Sequence, residues 1–366
     1  DVEVAPRDLV INGRFLAQPV SGVQRYAGEI VRALDTLLAE AKVPNAAGIA
    51  VRLVAPPGAK QPDALRAIRF EKAGGGNSHL WDQVTLARAA RGARLLSLGG
   101  SGPILHSDHL VVIHDASVYR HPELFSRAYG TLHRTLGRVF ARTARLATVS
   151  HFSQRELAAI LGLDPDTITV APNGWEHLAR TSPREGAAAR VVGDAPFFVT
   201  VGNLTPNKNL AVVVRAFSLL PPGTAKLVVV GRADASIFGE ASAGPPNPDI
   251  VFAGRLDDED LAGLLRESRA LIFPSIYEGF GIPPLEAMQA ETRVLASTAD
   301  AVVEVCEGVA DLFDPHDAKR LALHIRNVLD ESPGEREVGI AAGRERLARY
   351  SWERSARILA EAILRT

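Results

Sequence analysis

The sequence has 366 residues, with 41 Lys and Arg against 42 Asp and Glu, so its formal net charge is −1. At about 150 residues per domain this length predicts two domains, and the 46% of hydrophobic and 23% of charged residues exclude a disordered or fibrous chain. The charge balance gives no indication of a nucleic-acid partner, and no apolar run approaches the ~18 residues that a membrane-spanning helix needs.

Short β-rich runs alternate with helical patterns from the first residues onward. Strands are expected near 8–12, 50–55, 94–98, 110–114, 145–150 and 167–171, and helices at 22–42, 122–142 and 151–161. Such alternation is typical of a parallel sheet with helices on both faces. We therefore predict a doubly wound, Rossmann-like domain over residues 1–178.

The segment 172–196 contains several prolines and glycines and has no sustained periodicity, so it is the best candidate for a linker. The alternation then restarts, with strands expected at 197–201, 226–230, 270–273 and 294–297 and helices at 208–220, 258–268 and 284–290. This predicts a second parallel sheet over residues 190–350. The tail from 317 onward is helical in three pieces, and we expect the last one, 351–366, to pack back on the first domain. Two such sheets in series predict a ligand at the carboxyl ends of the strands, in a cleft between the domains.

Cys306 is the only cysteine, which excludes an internal disulfide and a cysteine cluster for zinc. We therefore expect a reducing compartment, the cytoplasm.

The stretch 274–288 carries the most chemical information. A buried strand ends in a glycine-containing loop with Glu278, and Pro283 and Pro284 then suit the first turn of a helix that carries Glu286. The N–H groups of the loop and the helix dipole together form a site suited to phosphate, while the two carboxylates could accept hydrogen bonds from sugar hydroxyls. A capped helix whose glutamates complement its positive end explains the same pattern, and the spacing does not decide between the two interpretations.

This stretch resembles the signature of the family-four retaining glycosyltransferases of the GT-B fold, in which two glutamates flank seven residues and bind a nucleotide-sugar. Further segments resemble other landmarks of that family in the same order, and together they extend over essentially the whole chain: 21–26, 114–115, 149–153, 172–174, 201–210 and 251–256. The resemblance is to the bacterial polysaccharide and O-antigen members, which are mannosyltransferase-like. It implies a GT-B architecture of two Rossmann-like domains, the first binding the acceptor and the second the nucleotide-sugar.

The resemblance also implies individual roles. Glu286 should bind the ribose, Glu278 a hydroxyl of the donor sugar, and Lys208 the diphosphate. A lysine at a helix start opposes the helix dipole, which favours this functional interpretation over a merely solvated side chain. The implied catalytic and donor-binding residues are His114, Gly22, Asn203, Asn207, Lys208, Arg255, Glu278, Gly279, Phe280, Gly281, Ile282 and Glu286, and those on the acceptor side are Arg25, Asp115 and Ser150.

The chain departs from the family pattern at two places. Asn207 stands where relatives usually carry an arginine, and Arg255 or Arg25 is a candidate to compensate for the missing charge. Residues 290–293 replace the usual Cys-Gly-Thr-Pro.

A lone histidine such as His114 is more often structural, and only its place at a strand end beside Asp115 favours a role in the reaction.

We expect neither a metal nor another cofactor. Asp164 and Asp166 match an Asp-x-Asp metal motif, but with Pro165 between them they are typical of a turn. Residues 106–109 contain two histidines in one short polar loop, with no further cluster at ligand spacing.

The segment 120–145 is basic and amphipathic, with arginines at 120, 127, 134, 138, 142 and 145. A helix of this kind can lie on an anionic membrane surface, so peripheral membrane contact is one interpretation. A helix that covers the sheet with a solvated basic face is the other.

The resemblance, together with the predicted phosphate site, implies retaining transfer of a hexose from a nucleotide-sugar, with GDP-mannose favoured, to a hydroxyl of a glycan or lipid-linked glycan in surface polysaccharide synthesis. Two alternatives stay open: a nucleotide-sugar epimerase of the same architecture, and a non-catalytic sugar-binding protein with two lobes.

Overall fold

The computed structural model describes residues 7–203, 205–231 and 247–365. The chain divides into two units, one formed by Asp1–Asn173 together with Ser351–Thr366 and the other by Gly174–Tyr350.

The first unit is built on a parallel sheet of seven strands in the order β3-β2-β1-β4-β5-β6-β7. Its central strands are short, mostly apolar and buried, as is typical of strands covered on both faces. The strands are β1 Leu9–Asn12, β2 Val51–Ala55, β3 Arg69–Lys72, β4 Arg94–Ser97, β5 His109–Val112, β6 Arg145–Thr148 and β7 Thr169–Val170. The strand order reverses between β1 and β4, which makes the carboxyl ends of these two strands the switch point of the sheet.

The helices of this unit begin where local sequence favours a helix start. Ser126 and Ser150 cap two of them, with each hydroxyl accepting a hydrogen bond from the backbone N–H three residues on. The helices are α1 Gly22–Ala39, α2 His79–Trp81, α3 Ala87–Ala89, α4 Ser117–Arg120, α5 Arg127–Thr143 and α6 His151–Leu161, with a π-helical turn at Asp82–Leu86.

The last helix of the chain, Trp352–Leu364, belongs to the first unit. Trp352 is buried, and its ring lies 5.7 Å from the ring of Tyr26 on α1. The Tyr26 hydroxyl donates to the Ala171 carbonyl at 3.0 Å, and the Ser355 hydroxyl donates to the Pro172 carbonyl at 2.5 Å. The two ends of the unit's chain are therefore joined by packing and by hydrogen bonds.

The second unit has a parallel sheet of six strands in the order β10-β9-β8-β11-β12-β13. Its strands are β8 Phe197–Val201, β9 Lys226–Val230, β10 Ile250–Gly254, β11 Ala270–Phe273, β12 Arg293–Ser297 and β13 Asp311–Phe313. Here the order reverses between β8 and β11, which pair at Leu271 and Val199.

The helices of the second unit cover both faces of its sheet. They are α7 Glu176–Ala179, α8 Ala189–Val192, α9 Leu210–Ser218, α10 Asp258–Glu267, α11 Ile282–Gln289, α12 Asp300–Cys306, α13 Ala318–Asp330 and α14 Pro333–Leu347. The last helix of the chain, Trp352–Leu364 of the first unit, is α15. One core cluster joins α9 and α13 to the sheet through Phe198, Phe217, Leu227 and Ile325. Among the described residues, no helix combines the length and the apolarity needed to cross a bilayer.

Several elements differ from the sequence-based expectation, among them the short helices α7 and α8, which lie within the segment predicted as a linker. The structure adds edge strands β3 and β13, which the pattern did not predict. The expected helix 122–142 is a 3-10 turn at Pro122–Leu124 followed by α5, because Ser126 starts a new helix with its own cap.

Candidate functional site

The motif residues of the second unit meet at its switch point. The loop 202–209 follows β8, and the loop 274–281 follows the neighbouring strand β11. Because the carboxyl ends of parallel strands lie at one edge of the sheet, both loops leave the sheet side by side. This is the position at which open α/β sheets bind ligands.

Hydrogen bonds tie the two loops together. The Ile276 N–H donates to the Asn207 carbonyl at 2.8 Å, and the Asn207 amide donates to the Tyr277 carbonyl at 3.4 Å. Asn209, in the left-handed conformation with φ +55°, donates from its side chain to the Pro274 carbonyl at 3.0 Å. The loops are therefore fixed relative to each other by backbone and amide groups.

Lys208 and Glu278 form an ion pair across these loops. The Ser275 hydroxyl also donates to Glu278 Oε1, at 2.6 Å, and the Lys208 ammonium lies 5.8 Å from the centre of the Phe273 ring. Both charged side chains are only partly exposed, 26% for Lys208 and 12% for Glu278. The site thus holds a cation whose charge is balanced by a carboxylate, and either group can exchange its partner for a ligand.

Glycines let the backbone pack closely around this pair. Gly281 has φ +101° just before α11, and a Cβ there would lie 3.0 Å from the Phe273 ring. At Gly231, φ is +142°, and a Cβ would lie 1.8 Å from the Gly202 carbonyl oxygen, a distance that no side chain can occupy. The ends of β8 and β9 are therefore brought together by a position that only glycine can fill.

Glu286 is buried on α11 and is bound by a histidine that the sequence interpretation had left in the linker. His177 Nε2 lies 2.8 Å from Glu286 Oε1, and the two side chains are 2% and 7% exposed. The segment 175–178 combines Trp and Leu with Glu and His, which is not the composition of a solvated linker. That composition was the signal available in the sequence.

The remaining donor-side residues of the second unit are more dispersed. Asn203 is exposed beyond β8, whereas Leu204 of the same predicted loop lies outside the described residues. Arg255 is exposed just after the edge strand β10. Phe280 is buried, with its ring 5.4 Å from that of Tyr350, while Gly279 and Ile282 lie in the loop and at the first position of α11. The structure brings Lys208 and Glu278 into contact, places Asn207 against Tyr277 of the Glu278 loop, and leaves Arg255 apart from them in the sheet order.

In the first unit, His114 follows strand β5. Its Nε2 lies 2.8 Å from the Leu98 carbonyl oxygen, and its ring meets that of Tyr26 edge-on at 4.8 Å. Burial lowers the pKa of His114, and the Leu98 hydrogen bond and the Asp115 charge offset this only in part. Because a carbonyl only accepts, Nε2 carries the proton and Nδ1 of the neutral ring keeps a lone pair that can accept a hydrogen bond from a hydroxyl.

The other predicted residues of this unit lie at element ends. Asp115 accepts from the backbone N–H of Ser117 at 2.7 Å and from its hydroxyl. Gly22 is the first residue of α1, with open space where a Cβ would lie, and Arg25 is in its first turn. The Ser150 hydroxyl is used as the cap of α6, so its observed contact is structural.

The two segments interpreted as non-metal sites have ordinary local contacts. Asp164 caps the 3-10 turn Pro165–Thr167, and Asp108 forms ion pairs with Arg7 and Arg145 at 2.8 and 2.7 Å. His109 is the first residue of β5, with Nε2 2.9 Å from the Ser97 hydroxyl. Within the described ranges, no three His, Cys, Asp or Glu side chains are grouped as metal ligands.

Comparison with known proteins gives one family match and several relatives. Residues 184–346 match the family described as glycosyl transferases group 1. The O-antigen chain mannosyltransferase B of Escherichia coli is 27% identical over 273 residues, which cover 69% of this chain and 70% of that protein. The serotype-specific mannosyltransferase WbdA of Escherichia coli is 29% identical over 177 residues, but these cover 46% of this chain and only 22% of that protein.

Solved structures match over nearly the full length. Anabaena HepE, crystallised in complex with UDP and glucose, superposes with a TM-score of 0.72 at 16% identity, covering 97% of this chain and 99% of that one. At this identity the likeness concerns the fold. The expected GT-B architecture of two Rossmann-like parallel-sheet units is thereby confirmed.

Proposed function

We propose that this chain, with its GT-B fold and its glycosyl transferases group 1 domain at residues 184–346, is a retaining glycosyltransferase. It moves a hexose from a nucleotide-sugar to a hydroxyl of a glycan or lipid-linked glycan in surface polysaccharide synthesis. GDP-mannose is the proposed donor, since similar proteins are named O-antigen mannosyltransferases. The observation that carries the proposal is the contact between Lys208 and Glu278 at the switch point of the second sheet.

The groups at this switch point suit the parts of a nucleotide-sugar. The Lys208 ammonium and the positive end of α11 provide the charge that a diphosphate needs. Glu278, when released from Lys208, accepts a hydrogen bond from a hydroxyl of the donor sugar while Ser275 still holds it. Glu286 accepts from the ribose hydroxyls, and His177 fixes its carboxylate by the hydrogen bond from Nε2.

In the proposed reaction the bond between the sugar C1 and the diphosphate oxygen breaks, and a bond from C1 to the acceptor oxygen forms on the same face. The proton of the acceptor hydroxyl passes to the departing phosphate oxygen, and the nucleoside diphosphate leaves with the electron pair. Lys208 stabilises the negative charge that develops on the diphosphate. His114 Nδ1 is proposed to accept a hydrogen bond from a hydroxyl of the reacting sugar.

The proposed site uses backbone groups and Lys208 for the anion and requires no metal. Transfer should therefore persist in EDTA. Loss of transfer in EDTA, restored by magnesium or manganese, would contradict this and redirect attention to Asp164 and Asp166.

A thermal-shift panel of nucleoside diphosphates, followed by transfer from radiolabelled GDP-mannose, tests the proposal. A ligand at 100 times its Kd stabilises a protein by about 2.7 kcal/mol, which is well within detection. GDP should stabilise most, and label should reach a glycan only when an acceptor is added. Conversion of the donor sugar without an acceptor would indicate an epimerase, and failure of every nucleoside diphosphate to bind would indicate a sugar-binding protein.

A further inference from the structure

A second group of side chains gathers in the first unit, near the switch point of its sheet. We call it the Tyr129 cluster and define it as Arg14, His79, Tyr129 and His133. Arg14 comes two residues after β1, His79 opens α2, and the other two lie on α5. None of these residues has a part in the donor site described above.

Aromatic rings form the outer part of the cluster. Tyr129 and His133 are one helical turn apart, with ring centres 4.1 Å from each other, and Phe125 stacks on Tyr129 at 5.5 Å with an interplanar angle of 12°. The His133 ring meets that of His79 at 5.6 Å. Tyr129 is 47% exposed, so this row of rings offers an apolar surface to solvent.

Charged groups form the inner part, and they are already balanced. Arg14 Nη1 lies 3.4 Å from Asp82 Oδ2, with 10% of the Arg14 side chain exposed and none of Asp82. Asp82 also accepts from the Ser101 hydroxyl at 2.8 Å and from the Asn12 amide at 3.3 Å. The positive charge of Arg14 is therefore neutralised within the protein, which makes this a poor site for a phosphate or pyrophosphate.

The two imidazoles are neutral at physiological pH. Burial, with the His79 ring and the Arg14 charge adding to it, lowers the pKa of His133 to about 4. Burial and Arg14 also lower the pKa of His79. A neutral imidazole carries one N–H donor and one acceptor nitrogen, and the Tyr129 hydroxyl can both donate and accept. Nδ1 of His79 is buried, 3.7 Å from Asp82 Oδ2, so it is not available to a ligand.

We propose that the Tyr129 cluster binds a neutral hexopyranose unit of the acceptor glycan. The C–H face of the sugar ring packs on Tyr129 and His133, and its hydroxyls exchange hydrogen bonds with the imidazoles and the phenol. An apolar surface with a few convergent neutral polar groups is the general form of a site for an uncharged polar ligand. The assignment of the bound sugar to the acceptor rests on the proposed function. The inference that the cluster binds a neutral sugar does not.

Saturation-transfer NMR with methyl α-D-mannopyranoside tests the site. The wild type should transfer saturation to the ring protons of the mannoside. Tyr129→Ala should weaken this binding at least fivefold, whereas Tyr129→Phe, which keeps the ring, should retain most of it. The matched control is Leu132→Ala, because Leu132 is a similarly exposed apolar residue on the same helix, 37% exposed, and its loss should change nothing.

Calorimetry with GDP on the same variants separates this inference from the proposed function. Equal mannoside binding by wild type and Tyr129→Ala, or competition for the cluster by inorganic pyrophosphate, would overturn the site whether or not GDP binds. Mannoside binding that depends on Tyr129 in a protein that ignores every nucleoside diphosphate would support the sugar site and overturn the glycosyltransferase proposal.

Discussion

Lys208 already has a partner in this structure, so a diphosphate must take it from Glu278. We expect Lys208→Ala and Glu286→Ala both to weaken GDP binding, the first through the diphosphate and the second through the ribose. Losing a hydrogen bond to a charged group costs about 1.5–3 kcal/mol, which corresponds to a change in Kd of about 10- to 150-fold. Titration calorimetry measures this, with Lys319→Ala as the control because Lys319 is an exposed lysine elsewhere in the same unit. Unchanged affinity in both folded variants would remove the two residues from the site.

His177 is expected to position Glu286 rather than to contact the nucleotide itself. His177→Leu leaves a buried carboxylate without this hydrogen bond, so we expect weaker GDP binding together with a lower Tm. His177→Gln, whose amide can still donate, should recover most of the GDP affinity. If the Leu variant binds GDP as the wild type does, Glu286 does not depend on His177 for its orientation.

At this scale the sequence predicted the residues but not all of their contacts. Lys208 and Glu278 could be singled out because each stands at a fixed offset from a strand end in a motif. The contact between His177 and Glu286 joins residues 109 positions apart, and no local periodicity describes such a pair. The roles of most predicted site residues stay predictions, which the substitutions of Lys208, Glu286 and His177 begin to test.

Among the elements, α5 and its neighbours separate the arginines of the basic segment into two groups. Arg120 pairs with Glu156 at 2.6 Å, Arg134 donates to the Val118 carbonyl at 3.0 Å, and the Arg138 guanidinium lies 5.8 Å over the Tyr119 ring. These contacts hold elements of the first unit together. Arg127 and Arg142 are exposed at the two ends of α5.

Membrane contact through segment 120–145 should therefore depend on its exposed arginines, Arg127 and Arg142. We expect Arg127→Glu/Arg142→Glu to reduce sedimentation with anionic phosphatidylglycerol vesicles at low salt, since each cation near such a surface adds about 1 kcal/mol. The matched control is Arg69→Glu/Arg91→Glu, two exposed arginines elsewhere in the unit. A wild type that ignores the vesicles would leave the segment as a solvated cover of the sheet.

The elements that sequence reasoning predicted are those with a strong pattern. β8 and β11 are almost entirely apolar, with Thr200 as the one polar residue, and both occur where they were expected. β3 reads Arg-Phe-Glu-Lys, and β13 has only three residues. Edge strands of this kind bury little, so their sequences carry almost no periodic signal and their pairing is decided by the neighbouring strand.

For the whole molecule, buried histidines should make stability depend on pH. Burial lowers the pKa of His109 from 6.5 to about 3, so below pH 6.5 the unfolded chain binds a proton that the folded chain does not. Stability then falls as the pH falls, by about 2 kcal/mol for this residue between pH 7 and 5. Chemical unfolding at both values should show a shallower pH dependence for His109→Gln than for the wild type. Equal dependence in the two proteins would show that His109 becomes protonated without unfolding.

The alternation of strands and helices was sufficient to predict two parallel sheets, because a parallel connection requires a crossover of this kind. The alternation does not determine the order of the strands in either sheet. The positions of β1 beside β4 and of β8 beside β11 follow from packing over long sequence separations, and those neighbours define the two switch points.

The contribution of α15 to the first unit has a consequence for biosynthesis. During translation, residues 7–173 emerge first, yet the Tyr26 ring has no Trp352 to pack against until all of Gly174–Tyr350 has been made. The second unit is continuous in sequence, so it can complete its fold before α15 is available to the first unit. A chain truncated just before Ser351 would therefore have a complete second unit and an incomplete first one, with the surface of α1 that α15 covers still open to chaperones and proteases.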